Sequence, residues 1–238
     1  MQRYYINGFI PKKNIQITEA EILHHCYKVL RLQSEDFICI FNWTEYFDYV
    51  YKIIDITKNS ITLIQEKVIT KIPKKTHISL YQALPNKLSK LEYIVQKNTE
   101  IGLEKIIIFQ ADYSQNSVVL TDKKITRLKK IGIEACEQSN NNIIPTIEIV
   151  NQIDFHKIKE QRNIFLHSGD SQGWNLNDIS SDKNWDIMNI FIGPEWWFSK
   201  TEIEQFSSHK CKQLYLWESI LRTETAWLVT WFYLLQNF

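Results

Sequence analysis

Glycine is scarce in this chain: six in 238 residues, well under half of the usual share of about 7%. Such a chain has few positions that take a positive φ, or that let another group approach bare backbone without a steric cost. Cysteine is sparse as well. Cys26, Cys39, Cys136 and Cys211 are scattered, with no CxxC pair and no framework of short spacings, which excludes a disulfide scaffold and points to buried reduced thiols. The adjacent His24, His25 and Cys26 lack a second ligand pair at metal spacing, so no metal is expected. The longest apolar run, Trp227 to Leu235, is much shorter than the roughly 20 residues that cross a bilayer. The N-terminus has no apolar signal core, and a cytoplasmic protein without a membrane partner is expected. An excess of either charge is missing too. The formal net charge of +1 argues against indiscriminate coating of nucleic acid but leaves room for a local basic face.

What is present is an ordinary globular composition, 44% hydrophobic and 23% charged, long enough for one large domain or two smaller ones. A composition shift near Lys71-Ile72-Pro73-Lys74-Lys75 divides the chain. Before it, β-branched and aromatic runs alternate with turn residues at Arg3 to Ile6, Phe37 to Phe41, Tyr49 to Ile56 and Ser60 to Val68; residues 1–72 read as a small β-barrel. Residues 73–238 read as an α/β domain with a mainly parallel sheet covered by helices. Its strands are expected at Ile78 to Ala83, Lys105 to Gln110, Asn163 to His167, Met188 to Ile192 and Gln213 to Leu216. Apolar residues recur at helical spacing from Lys87 to Ile101, where Gly102 is placed to end the helix. A second helix is expected from Asp122 to Gln138, and its string Lys123, Lys124, Arg127, Lys129 and Lys130 reads as a solvated face. A third starts near Ser199, which stands at capping-box spacing from Glu202. The last helix begins in Thr223-Glu224-Thr225 and is apolar nearly all round, so it is expected to pack in the core and against a second subunit.

Two stretches share one layout: Ile190-Phe191-Ile192-Gly193-Pro194-Glu195, and Gln213 to Leu216 followed by Leu221-Arg222-Thr223-Glu224-Thr225-Ala226. Each runs from an apolar strand through a tight turn with a charged residue to a helix start, where open α/β sheets place their ligands. To these are added His25-Cys26-Tyr27-Lys28-Val29-Leu30-Arg31, the segment from Leu91 to Gly102 with its Gln96-Lys97-Asn98, Glu134-Ala135-Cys136-Glu137-Gln138-Ser139, and Leu166-His167. In this order and spacing the six stretches resemble the RsmE family of 16S ribosomal RNA uridine-N3 methyltransferases, of the SPOUT class, over nearly the whole chain.

The resemblance implies a PUA-like barrel that helps to hold RNA, an α/β methyltransferase domain with a C-terminal trefoil knot, and a homodimer with its active site near the subunit boundary. It implies S-adenosylmethionine as cofactor and methylation of one uridine at N3 in the decoding region of 16S rRNA, within the small ribosomal subunit. Cofactor contacts are implied for Leu166, His167, Ile192, Gly193, Trp197, Leu216, Trp217, Ile220, Leu221 and Thr225, and RNA contacts for His25, Arg31, Lys97 and Gln138. Arg222 and Glu195 are the implied catalytic pair. A guanidinium is always charged and its planar fork meets a carbonyl oxygen or a phosphate with fixed geometry. A structural ion pair of Arg222 with Glu224 or Glu195 is the competing reading, a salt bridge or helix cap competes for Glu195, and Thr223 and Thr225 equally suit capping of the last helix.

The chain departs from the family where glycine is expected. Trp196 and Trp197 follow Gly193-Pro194-Glu195, Trp217 follows Leu216, Trp43 follows Asn42 and Glu35 stands in a barrel turn; Asn140-Asn141-Asn142 replaces glycine and arginine, and Ser219 an arginine. The tryptophans are genuine and tolerated, or mark an impaired enzyme with a filled pocket that serves as an RNA-binding or assembly protein, or reflect a codon that some genetic codes read as glycine. The low glycine count beside eight tryptophans favours the last.

Overall fold

The computed structural model describes residues 1–42, 46–72, 77–115, 118–167, 187–216 and 221–237. The chain forms two compact units. The first comprises Met1–Pro73 with Ile133–Ile143, and the second Lys74–Gly132 with Ile144–Phe238.

The first unit is built on a five-stranded sheet of β1 (Gln2–Tyr5), β2 (Asn14–Ile17), β3 (Phe37–Phe41), β4 (Phe47–Ile56) and β5 (Ile61–Thr70), in the order β1-β3-β4-β5-β2. β1 runs parallel to β3 and the other neighbours are antiparallel. Register shifts at Val50/Tyr51 and Ile53/Asp55 bend the long β4–β5 ribbon, as bulges do in sheets that curl. The short α1 (Ala20–Leu23) passes into a π-helical segment, His24–Val29. Cys26 is buried there and its thiol donates to the Tyr4 hydroxyl at 3.1 Å. Ile38, Ile40, Tyr51, Ile53, Ile61 and Leu63 form the fully buried centre. β2 was not expected from the sequence. It is a four-residue edge strand whose pattern is mostly exposed, so it carries little hydrophobic signal.

A charge pair is buried in this unit. Arg3, 5% exposed, pairs with Asp48 at 2.9 Å, donates to the carbonyl oxygens of Cys136 and Asn141 at 2.7 and 3.1 Å and to the Asn142 side chain, and lies 4.3 Å from the Phe41 ring centroid. Asn142 in turn donates to the Phe47 carbonyl at 3.0 Å. Asn140 to Asn142 therefore serve as structural partners of the barrel. Asn140 takes a left-handed φ of 60°, which asparagine tolerates better than most residues.

The second unit carries a wholly parallel sheet of β6 (His77–Ala83), β7 (Lys105–Phe109), β8 (Thr146–Val150), β9 (Arg162–Leu166), β10 (Ile187–Ile192) and β11 (Lys212–Leu214), in the order β11-β9-β10-β6-β7-β8. Its helices are α2 (Leu88–Glu100), the first part of α3 (Asp122–Ser139), whose last residues belong to the first unit, α4 (Phe155–Ile158), α5 (Lys200–Ser208) and α6 (Thr223–Asn237). The strands are apolar on both sides because both faces are covered. Ile164, Ile190 and Ile192 face a core with Leu91, Ile94, Val95, Trp227 and Trp231, whereas the alternating Phe165 and Phe191 join Phe109, Phe198 and Phe206. Gly102 ends α2 with φ +79°. At α5 the Ser199 hydroxyl accepts from the Glu202 N–H at 3.2 Å and the Glu202 carboxylate accepts from the Ser199 N–H at 2.8 Å, the expected capping box. Lys124 and Arg127 of α3 bond the Val119 carbonyl and Glu92, as a solvated basic face would.

α6 packs one of its faces in the core. Trp227, Thr230, Trp231 and Leu234 are buried, with the two indoles stacked at 5.4 Å and Trp231 Nε1 donating to the Ile101 carbonyl. Phe232, however, is 67% exposed and Val229 38%, so the chain itself covers only one side of the helix. All four cysteines are free and buried, and burial pushes the Cys136 and Cys211 thiols up to about 12. Among the described residues no helix is long and apolar enough to cross a membrane.

Replacing Arg3 by Met leaves the Asp48 carboxylate without its main buried partner. A loss of about 3–5 kcal/mol is expected from breaking such a pair, read by urea denaturation; a loss under about 1 kcal/mol, the range of a surface ion pair, would contradict the burial described.

Candidate functional site

In the second sheet β6 connects toward β7 and β8 on one side, and the chain then returns to β9 and β10 on the other. This reversal between β10 and β6 is where ligands bind in open α/β sheets, outside the carboxyl ends of the strands. A cavity of about 250 Å³ lies there. Leu166 closes it from the end of β9, Ile192 and the turn residues Gly193, Pro194, Glu195 and Trp197 from the end of β10, Leu221 to Thr223 and Ala226 from the start of α6, and Lys90 from α2.

The turn is tight. The Trp197 N–H donates to the Pro194 carbonyl at 3.1 Å, and a β-carbon on Gly193 would stand 3.2 Å from the Trp197 carbonyl carbon and 3.3 Å from its Cα. Only glycine fits at 193 without moving backbone. Trp197 itself has φ 65°, the left-handed region that costs a bulky residue roughly 1–2 kcal/mol. Its ring meets the His167 ring edge-on at 6.0 Å. Trp196 is 69% exposed and lines no part of the cavity.

Charge at the site is divided unevenly. Lys90 Nζ donates to Glu195 at 2.5 Å, and the Asn86 N–H donates to both carboxylate oxygens at 3.2 and 3.3 Å. Burial alone would raise the Glu195 pKa, but the hydrogen bonds from Lys90 and backbone outweigh it and the value is lowered. Glu195 therefore sits in a salt bridge and is a clamp between the turn and α2. Arg222 is exposed at the cavity edge; among the described residues neither Glu224 nor Glu195 pairs with its guanidinium. Its carbonyl accepts from the Thr225 and Ala226 N–H groups at 2.9 and 2.8 Å, opening α6. The Thr223 hydroxyl donates to the Gly193 carbonyl at 2.9 Å and accepts from Gln82 Nε2 at 3.0 Å.

The structure thus brings Leu166, Ile192, Gly193, Glu195, Trp197, Leu221 and Arg222 together around one cavity, with His167 beside it. Leu216 is half-buried and Thr225 exposed, and neither lines it; Trp217 and Ile220 lie outside the described residues, as does Trp43. Of the residues expected to contact RNA, His25, Arg31 and Gln138 belong to the first unit and Lys97 to the second. His25 Nδ1 shares a hydrogen bond with the Tyr4 hydroxyl at 3.0 Å. Arg31, with φ 53°, borders an open groove with Tyr27, Gln33 and Asp55, Gln138 is exposed, and Lys97 pairs with Glu100 at 2.7 Å. Lys90 and Gln82 were not singled out from the sequence. Their partners lie 105 and 141 residues away, so no local spacing announces them.

A family model described as an RNA methyltransferase domain matches residues 72–234, and one described as an RNA methyltransferase PUA domain matches residues 17–66. The ribosomal RNA small subunit methyltransferase E of Buchnera aphidicola is 32% identical over 95% of this chain and 90% of its own length. The chain belongs to this methyltransferase family. The Bacillus subtilis member is 29% identical over 95% of this chain and 93% of its own. Among solved structures, Legionella pneumophila Lpg2936, in complex with the bound cofactor SAM, superposes with a TM-score of 0.80 at 25% identity, covering 98% and 96% of the two chains. The Neisseria gonorrhoeae ribosomal RNA small subunit methyltransferase E, bound to S-adenosyl methionine, gives 0.83 at 21% identity, covering 99% and 97%, a likeness of fold.

Two outcomes follow from the turn. Trp197→Gly removes the left-handed strain and widens the cavity, so S-adenosylmethionine should bind at least ~10-fold tighter by calorimetry, a gain of about 1.4 kcal/mol; equal or weaker binding would contradict the strained cradle. Lys90→Met removes the hydrogen bond that lowers the Glu195 pKa. A carboxylate with a lowered folded pKa contributes stability that is present above its ordinary range and lost as pH falls through the folded value. The margin in thermal stability between wild type and Lys90→Met should therefore shrink on acidification from neutral pH to about pH 3, and an unchanged margin counts against the clamp.

Proposed function

We propose that this chain transfers a methyl group from S-adenosylmethionine to N3 of one uridine in the decoding region of 16S rRNA, within the small ribosomal subunit. The observation that carries the reading is the cavity at the strand reversal, where bare backbone at Gly193 and the apolar Leu166, Ile192 and Leu221 stand beside an Arg222 with no ion-pair partner among the described residues. These residues fit the proposed cofactor: a nucleoside needs apolar walls and close main chain, and glycine at 193 permits that approach. When bound, the cofactor supplies an electrophilic methyl group.

The chain's own contribution is to the base. Uridine N3 carries a proton and is a poor nucleophile until that proton is lost, after which negative charge spreads onto the two flanking carbonyl oxygens. A fixed guanidinium stabilises charge that develops in the transition state more than charge in the ground state. Arg222, at the cavity edge, suits this role, and Glu195 holds the turn through Lys90 and Asn86. Residues 1–72 are assigned to an RNA-holding PUA-like barrel and 73–238 to the methyltransferase domain with its trefoil knot. His25, Arg31, Lys97 and Gln138 are the assigned RNA contacts, and the enzyme works in the cytoplasm. The exposed Phe232 and Val229 on α6 support a homodimer through that helix.

The impaired-scaffold alternative needs indole rings to fill the hollow. It finds no support at Trp196, which is exposed, or at Trp197, whose cavity stays open. A specific observation favours glycine at 197 in the native protein: its left-handed φ. An intact mass of protein purified from its own source decides, since a mass matching tryptophan at 43, 196, 197 and 217 removes that reading.

In an assay of methyl transfer to unmethylated small subunits, Arg222→Ala should lower the rate by about 10²–10³-fold, the cost of removing one anion-stabilising donor, with S-adenosylmethionine affinity retained. An unchanged rate would refute the role of Arg222, and no transfer by wild type would refute the function.

A further inference from the structure

Thr223 joins three parts of the second unit at one oxygen atom. Its hydroxyl donates to the Gly193 carbonyl at the end of β10, accepts from Gln82 at the end of β6, and belongs to the first residue of α6, directly after Arg222. Gln82 stands opposite Ile192 in the parallel β6–β10 register, so it lies beside the turn. Gln82 is fully buried and Thr223 is 6% exposed.

The direction of this chain is fixed by chemistry. A carbonyl oxygen only accepts, so the single hydroxyl proton of Thr223 is committed to Gly193, and the oxygen is left to accept from its other neighbour. The Gln82 amide supplies that proton, and its NH₂ group also donates to the Ala83 carbonyl at 2.9 Å. Among the described residues Gln82 Oε1 has no partner, and a buried acceptor left unpaired costs about 1–3 kcal/mol. A side chain present only to fill space would be apolar. An isosteric carboxylate would capture the Thr223 proton and free the Gly193 carbonyl.

We infer that Gln82 is a positioning residue for methyl transfer: acting through the Thr223 hydroxyl, it sets the Gly193 carbonyl and the start of α6 relative to each other, and with them the donor cradle relative to Arg222. The inference rests on the function proposed above. Misplacing groups at a reacting centre by about 1 Å costs on the order of 10²-fold in rate, so the relay acts on the chemical step more than on RNA association.

The test compares wild type with Gln82→Glu, Gln82→Met, Thr223→Val and Thr223→Ser in the full-length protein, each checked by thermal melting. Single-turnover methyl transfer to small subunits, the KM for subunits and the calorimetric Kd for S-adenosylmethionine are measured. Gln82→Glu and Thr223→Val should lose at least ~10-fold in rate with KM for subunits unchanged, while Thr223→Ser, which keeps the hydroxyl, recovers most of the rate. Gln82→Met keeps the volume without the donor and should resemble Thr223→Val, so the relay stays testable if the buried charge of Gln82→Glu prevents folding. Wild-type rates in Gln82→Met and Thr223→Val, or a Thr223→Ser as defective as Thr223→Val, overturn the relay while leaving the function intact. A wild-type protein that neither binds the donor nor transfers methyl overturns both, because the relay then has nothing to position.

Discussion

At the end of β10 a β-carbon would be crowded against backbone, and the rest of the site is arranged around that closeness. A β-carbon on Gly193 would press on the Trp197 backbone, the Pro194 carbonyl closes the turn, and the Thr223 hydroxyl holds the Gly193 carbonyl from the other side. The parallel sheet supplies the stiffness. Its strands are packed on both faces, with the aliphatic residues of β9 and β10 in one core and Phe165 and Phe191 in the other. Tightly packed interiors transmit displacement instead of absorbing it, so a cavity built on the ends of such strands keeps its shape.

The electrostatic arrangement follows from the same turn. Glu195, next to Pro194, is drawn to Lys90 and the Asn86 amide, which neutralises one charge pair and ties the turn to α2. What is left at the cavity edge, among the described residues, is the Arg222 guanidinium. A nucleobase that must carry negative charge while it reacts is better served by one uncommitted cation than by a cation whose partner already satisfies it, because an ion pair offers the developing charge little net potential. Four further non-glycine residues among those described, Arg31, Glu35, Asn140 and Lys210, take left-handed φ values, so Trp197 is one of several places where this glycine-poor chain puts a side chain in backbone that glycine suits better.

Much of the framework was legible in the sequence because its signals are local. The capping box at Ser199 and Glu202 needs only three-residue spacing, Gly102 ends a helix whose apolar periodicity runs up to it, and the apolar strands β6, β7, β9 and β10 stand out from polar connections. β2 and β8 were missed for a shared reason: each is an edge strand, and Thr146–Val150, with its mostly exposed pattern, has no buried stripe to reveal it. The buried Arg3 was equally hidden, since its partners are Asp48 and the backbone around Asn141, far along the chain. The same holds for the site. Gly193, Arg222 and Leu221 were found through motifs that lie in single short stretches, whereas Lys90–Glu195 and Gln82–Thr223 are pairs that only the fold assembles, and no periodicity encodes them. Sequence also left the role of Glu195 open between catalysis and a salt bridge; the distance to Lys90 supplies the salt bridge.

The central claim is that the hollow bounded by Leu166, Gly193 and Leu221 receives the methyl donor with Arg222 at its edge. Crystals of the protein soaked with S-adenosylmethionine test it most directly. Electron density for the nucleoside is expected against the Gly193 to Trp197 main chain, with the methyl group facing the side from which Arg222 approaches. A hollow that remains without density at saturating donor, or one closed by the Trp197 indole, would contradict it.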